Sequence, residues 1–255
     1  MRSKFFDENN YSINENGKYG IYIIHGFSST TYEAKELINF LSKKKYYIKA
    51  DNLPGHGTTS EDCNLTTYQE WISHVERGVA EMVSRCNNVF VIGSSMGAVL
   101  ALHLAALFPL KGIVCGSTHI LFKKNFKINY LLPIFFRFIS DIPKKTQFDL
   151  HTHKNNPQYY GYLEYPIVAL NEMRRLINVV KKELSNVQCP TLIIHSLNDQ
   201  TALIKNAEFV NYGINSKIKE IFYVNKSHHN IFDSHKNPDQ KFVFNKIEQF
   251  IKQHL

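Results

Sequence analysis

Residues 89–97 read Val-Phe-Val-Ile-Gly-Ser-Ser-Met-Gly, and an apolar stretch follows at residues 98–108. The four apolar residues at the start favour a buried strand, and the apolar stretch after the second glycine favours a helix. The chain must therefore turn sharply within G-x-S-x-G, where Gly93 and Gly97 avoid a steric clash. Ser95 is central to both glycines, so the pattern predicts that Ser95 is a nucleophile lifted clear of the backbone.

The backbone after this serine suits the same chemistry. The amide of Met96 opens the predicted helix, where unpaired N–H groups and the helix dipole favour negative charge. We therefore predict that Met96 contributes to an oxyanion hole. A glycine-rich turn without chemical meaning is the alternative, and the strand and helix on either side disfavour it. Ser94 is predicted to be only a neighbour of the nucleophile.

Outward from this turn, apolar strands alternate with helical patterns. Strands are predicted at residues 21–24, 46–50, 89–92, 112–115, 191–194 and 218–224, and helices at residues 32–44, 98–108, 203–213 and 238–253, with a further helix beginning at Thr67. In the first half of the chain the strands are continuous apolar runs, which is typical of a mostly parallel sheet with helices on both faces. The alternation stops between residues 119 and 186. The sequence therefore predicts an α/β core of residues 1–118 and 187–255 with an inserted, mainly helical cap at residues 119–186.

Composition and charge exclude several other classes of protein. The chain has 255 residues, of which 44% are hydrophobic, which suffices for one large domain with its own core. The net charge is +8, but the lysines are scattered, so nucleic-acid binding is not predicted. The four cysteines form no Cys-x-x-Cys, and His151 and His153 lack neighbouring ligands, so no metal site is predicted. The first residues lack the apolar segment of a secretory signal, which favours a cytoplasmic protein with reduced thiols.

Several motifs follow one another along the chain. They are His25-Gly-Phe-Ser28, Pro54-Gly-His-Gly-Thr58, Trp71, Gly93-Ser-Ser-Met-Gly-Ala98, Pro190-Thr-Leu-Ile-Ile-His-Ser-Leu-Asn-Asp199 and Ser227-His-His-Asn-Ile-Phe-Asp233. With these motifs the chain resembles the α/β-hydrolases, and more narrowly the small bacterial carboxylesterases and monoacylglycerol lipases. The resemblance extends from about residue 19 to near the C-terminus. It implies the α/β-hydrolase fold and hydrolysis by a serine triad without a cofactor.

The acid of such a triad should follow Ser95, because this fold orders its triad as serine, acid and histidine. Asp199 comes shortly after the predicted strand at residues 191–194 and so lies at the carboxyl end of the sheet. A buried carboxylate there can hold the tautomer of an imidazole. Capping of the following helix is the alternative role of Asp199.

The base should come from the histidines beyond Asp199, which are His228, His229, His235 and His254. The last of these lies in the C-terminal tail, and His235 opens the final connection. The choice is therefore between His228 and His229, both just past the predicted strand at residues 218–224. The family pattern Ser-x-His selects His229, and His228 is the fallback.

The resemblance also implies roles for residues 25–27. The N–H of Phe27 is expected to be the second oxyanion donor, and Gly26 is expected to let the backbone turn. The imidazole of His25 is expected to make structural hydrogen bonds rather than to act as a base. His56 is similarly expected to position its own loop.

The cap contains the stretch Tyr-Leu-Leu-Pro-Ile-Phe-Phe-Arg-Phe-Ile at residues 130–139, which is apolar nearly all round. It predicts an acyl-chain pocket or a surface that contacts lipid aggregates, and packing against the core is the alternative. We expect a serine hydrolase that cleaves carboxylic esters, either monoacylglycerols or short- to medium-chain acyl esters, with at most weak peripheral membrane contact. Hydrolysis of thioesters, lactones or amides is one alternative, and a ligand-binding protein with vestigial activity is another.

Overall fold

The computed structural model describes residues 6–143, 161–233 and 237–255. Its strands are β1 (Tyr11–Ile13), β2 (Tyr19–Ile24), β3 (Tyr47–Ala50), β4 (Asn88–Ser94), β5 (Gly112–Gly116), β6 (Asp141–Pro143), β7 (Glu164–Pro166), β8 (Thr191–Ser196) and β9 (Lys219–Val224). In the described part of the chain, seven of them form one sheet in the order β1-β3-β2-β4-β5-β8-β9. The pairs within this sheet are parallel, except that the edge strand β1 runs antiparallel to β3. This sheet and its helices confirm the predicted α/β-hydrolase fold class.

Helices cover both faces of the sheet. The α-helices of the described residues are α1 (Lys35–Ser42), α2 (Ser60–Asn64), α3 (Tyr68–Arg85), α4 (Met96–Leu107), α5 (Leu132–Phe135), α6 (Ile167–Glu183), α7 (Lys205–Gly213) and α8 (Gln240–Gln253). One buried apolar cluster joins one sheet face to α3, α4, α6 and α7, and a second joins the other face to α1 and α8. Alternate residues of β2 serve the two clusters: Tyr22 and Ile24 lie in the first, and Ile21 and Ile23 in the second. Because both faces are buried, the strand is a continuous apolar run.

In the first half of the chain, most of the observed helices match those predicted from the sequence. The helix predicted from Thr67 is α3, and Thr67 and Glu70 form a capping box in which the Glu70 carboxylate accepts the Thr67 amide at 2.7 Å. The helix predicted at residues 32–44 instead begins with a tighter 3-10 turn, Thr31–Ala34, before α1. The short helix α2 was not predicted, because five residues are too few to show a helical period.

Between β5 and β8 the chain leaves the main sheet. Strands β6 and β7 form a separate antiparallel pair there, which three-residue strands are too short to reveal in the sequence. Helix α6 buries Met173, Leu176 and Ile177 in the cluster that also contains residues of α3 and α4. Since this helix shares the main core, the division into a core of residues 1–118 and 187–255 and a cap of residues 119–186 stays a proposal.

The aromatic stretch at residues 130–139 lies largely at the surface. Phe138 is 82% exposed, and Tyr130 and Ile134 are each 62% exposed. Packing against the core therefore does not account for this stretch. No helix in the described part of the chain is both long and apolar enough to cross a membrane.

Candidate active site

The turn between β4 and α4 places Ser95 in an uncommon backbone conformation. Its φ is 54° and its ψ is −109°, and its amide donates to the carbonyl oxygen of Gly116 at 2.8 Å. A Cβ added to Gly93 would lie 2.2 Å from the carbonyl oxygen of Gly97, and one added to Gly97 would lie 2.2 Å from that of Ile24. Both positions therefore require glycine. A serine held at positive φ on such a turn is a strained residue of the kind that clusters at functional sites.

A chain of hydrogen bonds runs from Ser95 through His229 to Asp199. The Ser95 Oγ lies 3.0 Å from His229 Nε2, and His229 Nδ1 lies 2.8 Å from Asp199 Oδ2. The other carboxylate oxygen, Oδ1, accepts the amides of Thr201 and Ala202 at 2.8 Å each. With Nδ1–H donating to the carboxylate, Nε2 accepts the serine hydroxyl. The arrangement can therefore remove the proton of Ser95.

Of the two adjacent histidines that the residues alone left open, the buried one makes these contacts. His229 is 7% exposed, whereas His228 lies at the surface. His235 lies outside the described residues. His254 follows α8, where its ring centroid is 4.8 Å from that of Phe250.

The charges in this chain of hydrogen bonds favour a basic imidazole. Burial lowers the pKa of His229, but the charge and hydrogen bond of Asp199, with a smaller contribution from Glu33, raise it above its ordinary value. Burial raises the pKa of Asp199, yet His229, with help from His195, holds it below its ordinary value. Asp199 is therefore ionised at neutral pH, where it can stabilise the imidazolium that forms when His229 takes a proton.

The loop after β2 lies directly against the nucleophile. A Cβ added to Gly26 would be 3.2 Å from the Cβ of Ser95. The amide of Phe27, the next residue, donates no hydrogen bond within the described part of the chain. Met96 is the first residue of α4, where amides lack partners inside the helix. Both amides are thus available to an oxyanion, and their role stays a prediction.

His25 ties this loop to the loop that follows β3. Its Nδ1 donates to the carbonyl oxygen of Gly26 at 2.8 Å, and its Nε2 accepts the amide of Leu53 at 3.0 Å. Burial, and then the nearby His56, lower the pKa of His25 to about 3. Both ring nitrogens are engaged by the backbone, and the structural role of His25 stays a prediction. His56 is also buried, with Nδ1 3.2 Å from the carbonyl oxygen of Pro54.

Two further histidines lie beside the triad and were not predicted. His195 on β8 is buried, with Nε2 3.5 Å from Asp199 Oδ2. His119, which follows β5, meets the ring of His229 edge-on with the centroids 6.3 Å apart. Burial, and then His229, lower the pKa of His119 to about 4, so its ring is neutral at neutral pH. Their positions in the sequence could have indicated both residues. Each lies at or just past the carboxyl end of a predicted parallel strand, and side chains from such strand ends meet at one edge of a sheet.

Glu33 was missed as well. It lies in the 3-10 turn before α1, and its carboxylate points inward. Its Oε2 accepts the amide of Gly26 at 3.0 Å, and its Oε1 accepts the hydroxyl of Ser94. An acidic residue at the start of a helix ordinarily indicates a favourable contact with the helix dipole at the surface. Nothing in the local pattern indicated a buried carboxylate beside the nucleophile turn.

Within the described residues, no group of three or more histidine, cysteine, aspartate or glutamate side chains is arranged so that it could hold a metal ion. His151 and His153, for which no metal site was predicted, lie outside them.

Comparison with known proteins relates this fold and site to a family. A family model described as "Serine aminopeptidase, S33" matches residues 16–235. The chain is 31% identical over 220 residues to the thermostable monoacylglycerol lipase of Bacillus sp. (strain H-257), covering 84% of each protein. It is 22% identical over 221 residues to the carboxylesterase of Bacillus subtilis (strain 168), covering 84% of this chain and 85% of that protein.

Solved structures show the same fold. A metagenome-derived lipolytic enzyme superposes with a TM-score of 0.85 at 21% identity, and all of both chains is covered. The monoglyceride lipase of Saccharomyces cerevisiae superposes with a TM-score of 0.79 at 18% identity, covering 96% of this chain and 90% of that one. Since the family model matches most of the chain, the chain belongs to the Serine aminopeptidase, S33, family and is a serine hydrolase with the α/β-hydrolase fold.

Proposed function

We propose that the protein hydrolyses carboxylic esters, with monoacylglycerols or short- to medium-chain acyl esters as its substrates. The hydrogen-bonded series Ser95–His229–Asp199 carries the proposal, because it supplies a nucleophile, a base and a charge that stabilises the protonated base. Relatives named monoacylglycerol lipase and carboxylesterase support esters as the substrate class.

In the proposed reaction, His229 Nε2 takes the proton of Ser95 as Oγ attacks the ester carbonyl carbon. The carbonyl oxygen becomes an oxyanion, which the amides of Phe27 and Met96 stabilise by hydrogen bonds. The tetrahedral intermediate collapses, and His229 gives its proton to the departing alcohol. Water, activated by the same imidazole, then attacks the acyl-enzyme and releases the carboxylic acid.

The insertion contacts the loops around the site, which supports its role as a cap. Tyr162 donates its amide to the carbonyl oxygen of Ser28 at 2.9 Å and its hydroxyl to that of Gly55 at 2.6 Å. The rings of Phe122 and His119, at the start of the insertion, pack 5.2 Å apart beside His229. These apolar and neutral surroundings suit an acyl chain better than the charged terminus of a peptide.

Replacing Ser95 with alanine tests the proposal. We expect kcat for p-nitrophenyl butyrate to fall by at least about 10⁴-fold, because the nucleophile is lost. Ser84→Ala is the matched control, since Ser84 lies at the surface of α3 and should leave turnover unchanged. An undiminished S95A enzyme would overturn the assignment.

A substrate panel and a covalent probe separate the alternatives. Esters, thioesters, lactones and amides with the same acyl chain would be compared at equal enzyme concentration, and we expect the ester to have the highest kcat/KM. A fluorophosphonate should label wild-type Ser95. A chain that binds ligands with a vestigial triad would not react with this probe.

We also propose that the exposed part of the cap contacts anionic lipid surfaces that hold the ester. Residues 120–140 contain Lys123, Lys124, Lys127 and Arg137 and no acidic residue. Exposed apolar side chains lie in the same segment, among them Phe126 and Phe138. Apolar contact together with cationic charge is the combination that binds weakly to anionic interfaces.

Binding to vesicles tests this contact. We expect the protein to sediment with phosphatidylglycerol vesicles more than with phosphatidylcholine vesicles, and Phe138→Ser to reduce that binding. Tyr212→Ser is a matched control, because Tyr212 on α7 is 85% exposed and Phe138 is 82% exposed. Equal losses in the two variants, or no preference for the anionic vesicles, would contradict the proposed surface.

A further inference from the structure

Glu33 is a buried carboxylate that bridges the two backbone segments of the candidate site. It is 2% exposed, and its two oxygens are bound to different segments. Oε2 accepts the amide of Gly26 in the loop after β2, and Oε1 accepts the hydroxyl of Ser94 in the nucleophile turn. A Cβ added to Gly26 would lie 3.2 Å from both Glu33 Oε2 and Ser95 Cβ. The carboxylate therefore lies beside the nucleophile turn, against the backbone of Gly26.

In the described part of the chain, no cationic side chain pairs with the Glu33 carboxylate. Within the described residues, no lysine, arginine or histidine forms an ion pair with it. Burying an ionised carboxylate is costly unless charge or hydrogen bonds compensate it, and here two neutral donors do so. A glutamine could accept the Gly26 amide through its oxygen and donate its NH₂ group to the hydroxyl oxygen of Ser94, at lower cost. The charge is therefore better explained by something that happens in the site than by the stability of the fold.

We propose that Glu33 is a positioning residue for hydrolysis, which holds the loop of Gly26 and Phe27 against Ser95 and keeps a negative charge beside the nucleophile turn. The inference rests on the function proposed above. The carboxylate binds the Gly26 amide and leaves the next amide, that of Phe27, to the oxyanion. Its negative charge also acts on the ring that becomes positive as Ser95 attacks, in the same direction as Asp199.

Several other titratable groups lie near His229 and also bear on its pKa. Asp199 is hydrogen-bonded to its Nδ1, and His195 from β8 lies against that carboxylate. His119 approaches from the segment after β5, and on the loop of His229 itself the neighbouring His228 is exposed. His119 and His195 both have lowered pKa values, chiefly through burial, and add no positive charge at neutral pH. Glu33 and Asp199 are thus the negative charges that raise the pKa of His229.

Glu33→Gln tests the proposal through the pH profile of kcat/KM for p-nitrophenyl butyrate. Loss of the charge should move the acid limb to lower pH, because the neutral imidazole is then favoured. We expect kcat to fall about tenfold with little change in KM, since the negative charge that stabilises the imidazolium during attack on the ester is lost. Glu33→Asp, which keeps the charge on a shorter side chain, should restore the limb toward its wild-type position.

Controls separate this inference from the function on which it rests. Glu36→Gln removes an exposed carboxylate three positions later and should change neither the limb nor kcat. If E33Q does not fold, Ser94→Ala removes one of the two bonds to Glu33, and kcat should then fall about threefold or more at constant KM. An unmoved limb and kcat in folded E33Q, or an unchanged kcat in S94A, would overturn the role of Glu33. Loss of activity in S95A would still uphold the hydrolase function.

Discussion

Replacing Asp199 with asparagine separates the two roles that its carboxylate has in the structure. Oδ1 accepts the amides of Thr201 and Ala202, which is a local structural role, and Oδ2 is bonded to His229. An amide side chain keeps an oxygen for the two backbone N–H groups but offers no negative charge to the imidazole. The D199N variant should therefore fold and lose catalysis.

The expected loss in kcat follows from the effect of Asp199 on the pKa and the tautomer of His229. Its charge and hydrogen bond are the main influences that raise the pKa of His229 against burial, so their removal lowers the pKa and weakens the base. An NH₂ group facing Nδ1 also favours the tautomer with its proton on Nε2, which then cannot accept the proton of Ser95. For a triad of this geometry the loss in kcat is about 10⁴-fold, or about 5.5 kcal/mol of transition-state stabilisation.

The assay combines ester hydrolysis with unfolding in urea. D199N should unfold within about 0.5 kcal/mol of wild type, whereas Asp199→Ala also loses the two backbone contacts and should be less stable by about 1 kcal/mol. Both variants should be nearly inactive. If D199N keeps kcat within about tenfold of wild type, the contacts with the Thr201 and Ala202 amides are the role of Asp199 and the triad interpretation is refuted.

Three further predictions test the turn, the core and the base. Gly97→Ala should abolish soluble expression, because its Cβ would lie 2.2 Å from a backbone oxygen; Gly112→Ala, whose Cβ would meet side-chain carbons at 3.1 Å or more, should remain soluble. His103→Leu should lower the free energy of unfolding by about 1–3 kcal/mol at unchanged kcat, because it leaves Glu183 and Glu76, now 2.7 and 3.2 Å from the ring nitrogens, without their partner. The acid limb of the wild-type pH profile should have its midpoint above about 6.5, because the pKa of His229 is raised, and a midpoint below that value would contradict the charge arrangement.

The fold could be predicted because its signals are local and repeated. Each strand of the sheet interior is buried on both faces, so a continuous apolar run such as residues 89–92 has few other interpretations. The turn at Ser95 was predictable for the same reason, since its two glycines are required by contacts within a few ångströms of the turn. Short elements such as α2 and the β6–β7 pair escaped prediction because three to five residues show no period.

Glu33 could not be found in this way, because its role depends on contacts between distant parts of the chain. It reaches Ser94 across 61 positions, and an acid in the first turn of a helix is explained equally well by the helix dipole. A functional carboxylate differs from one that only interacts with the helix dipole in that it is buried without a cationic partner. This difference becomes visible only in the folded chain, where the loop after β2 lies against the nucleophile turn. The contact with Ser94 also bears on function, since a buried carboxylate held only by neutral donors is stabilised further when a positive charge forms nearby. In the proposed reaction that charge forms on His229, so we infer that catalysis explains the position of Glu33 better than folding does.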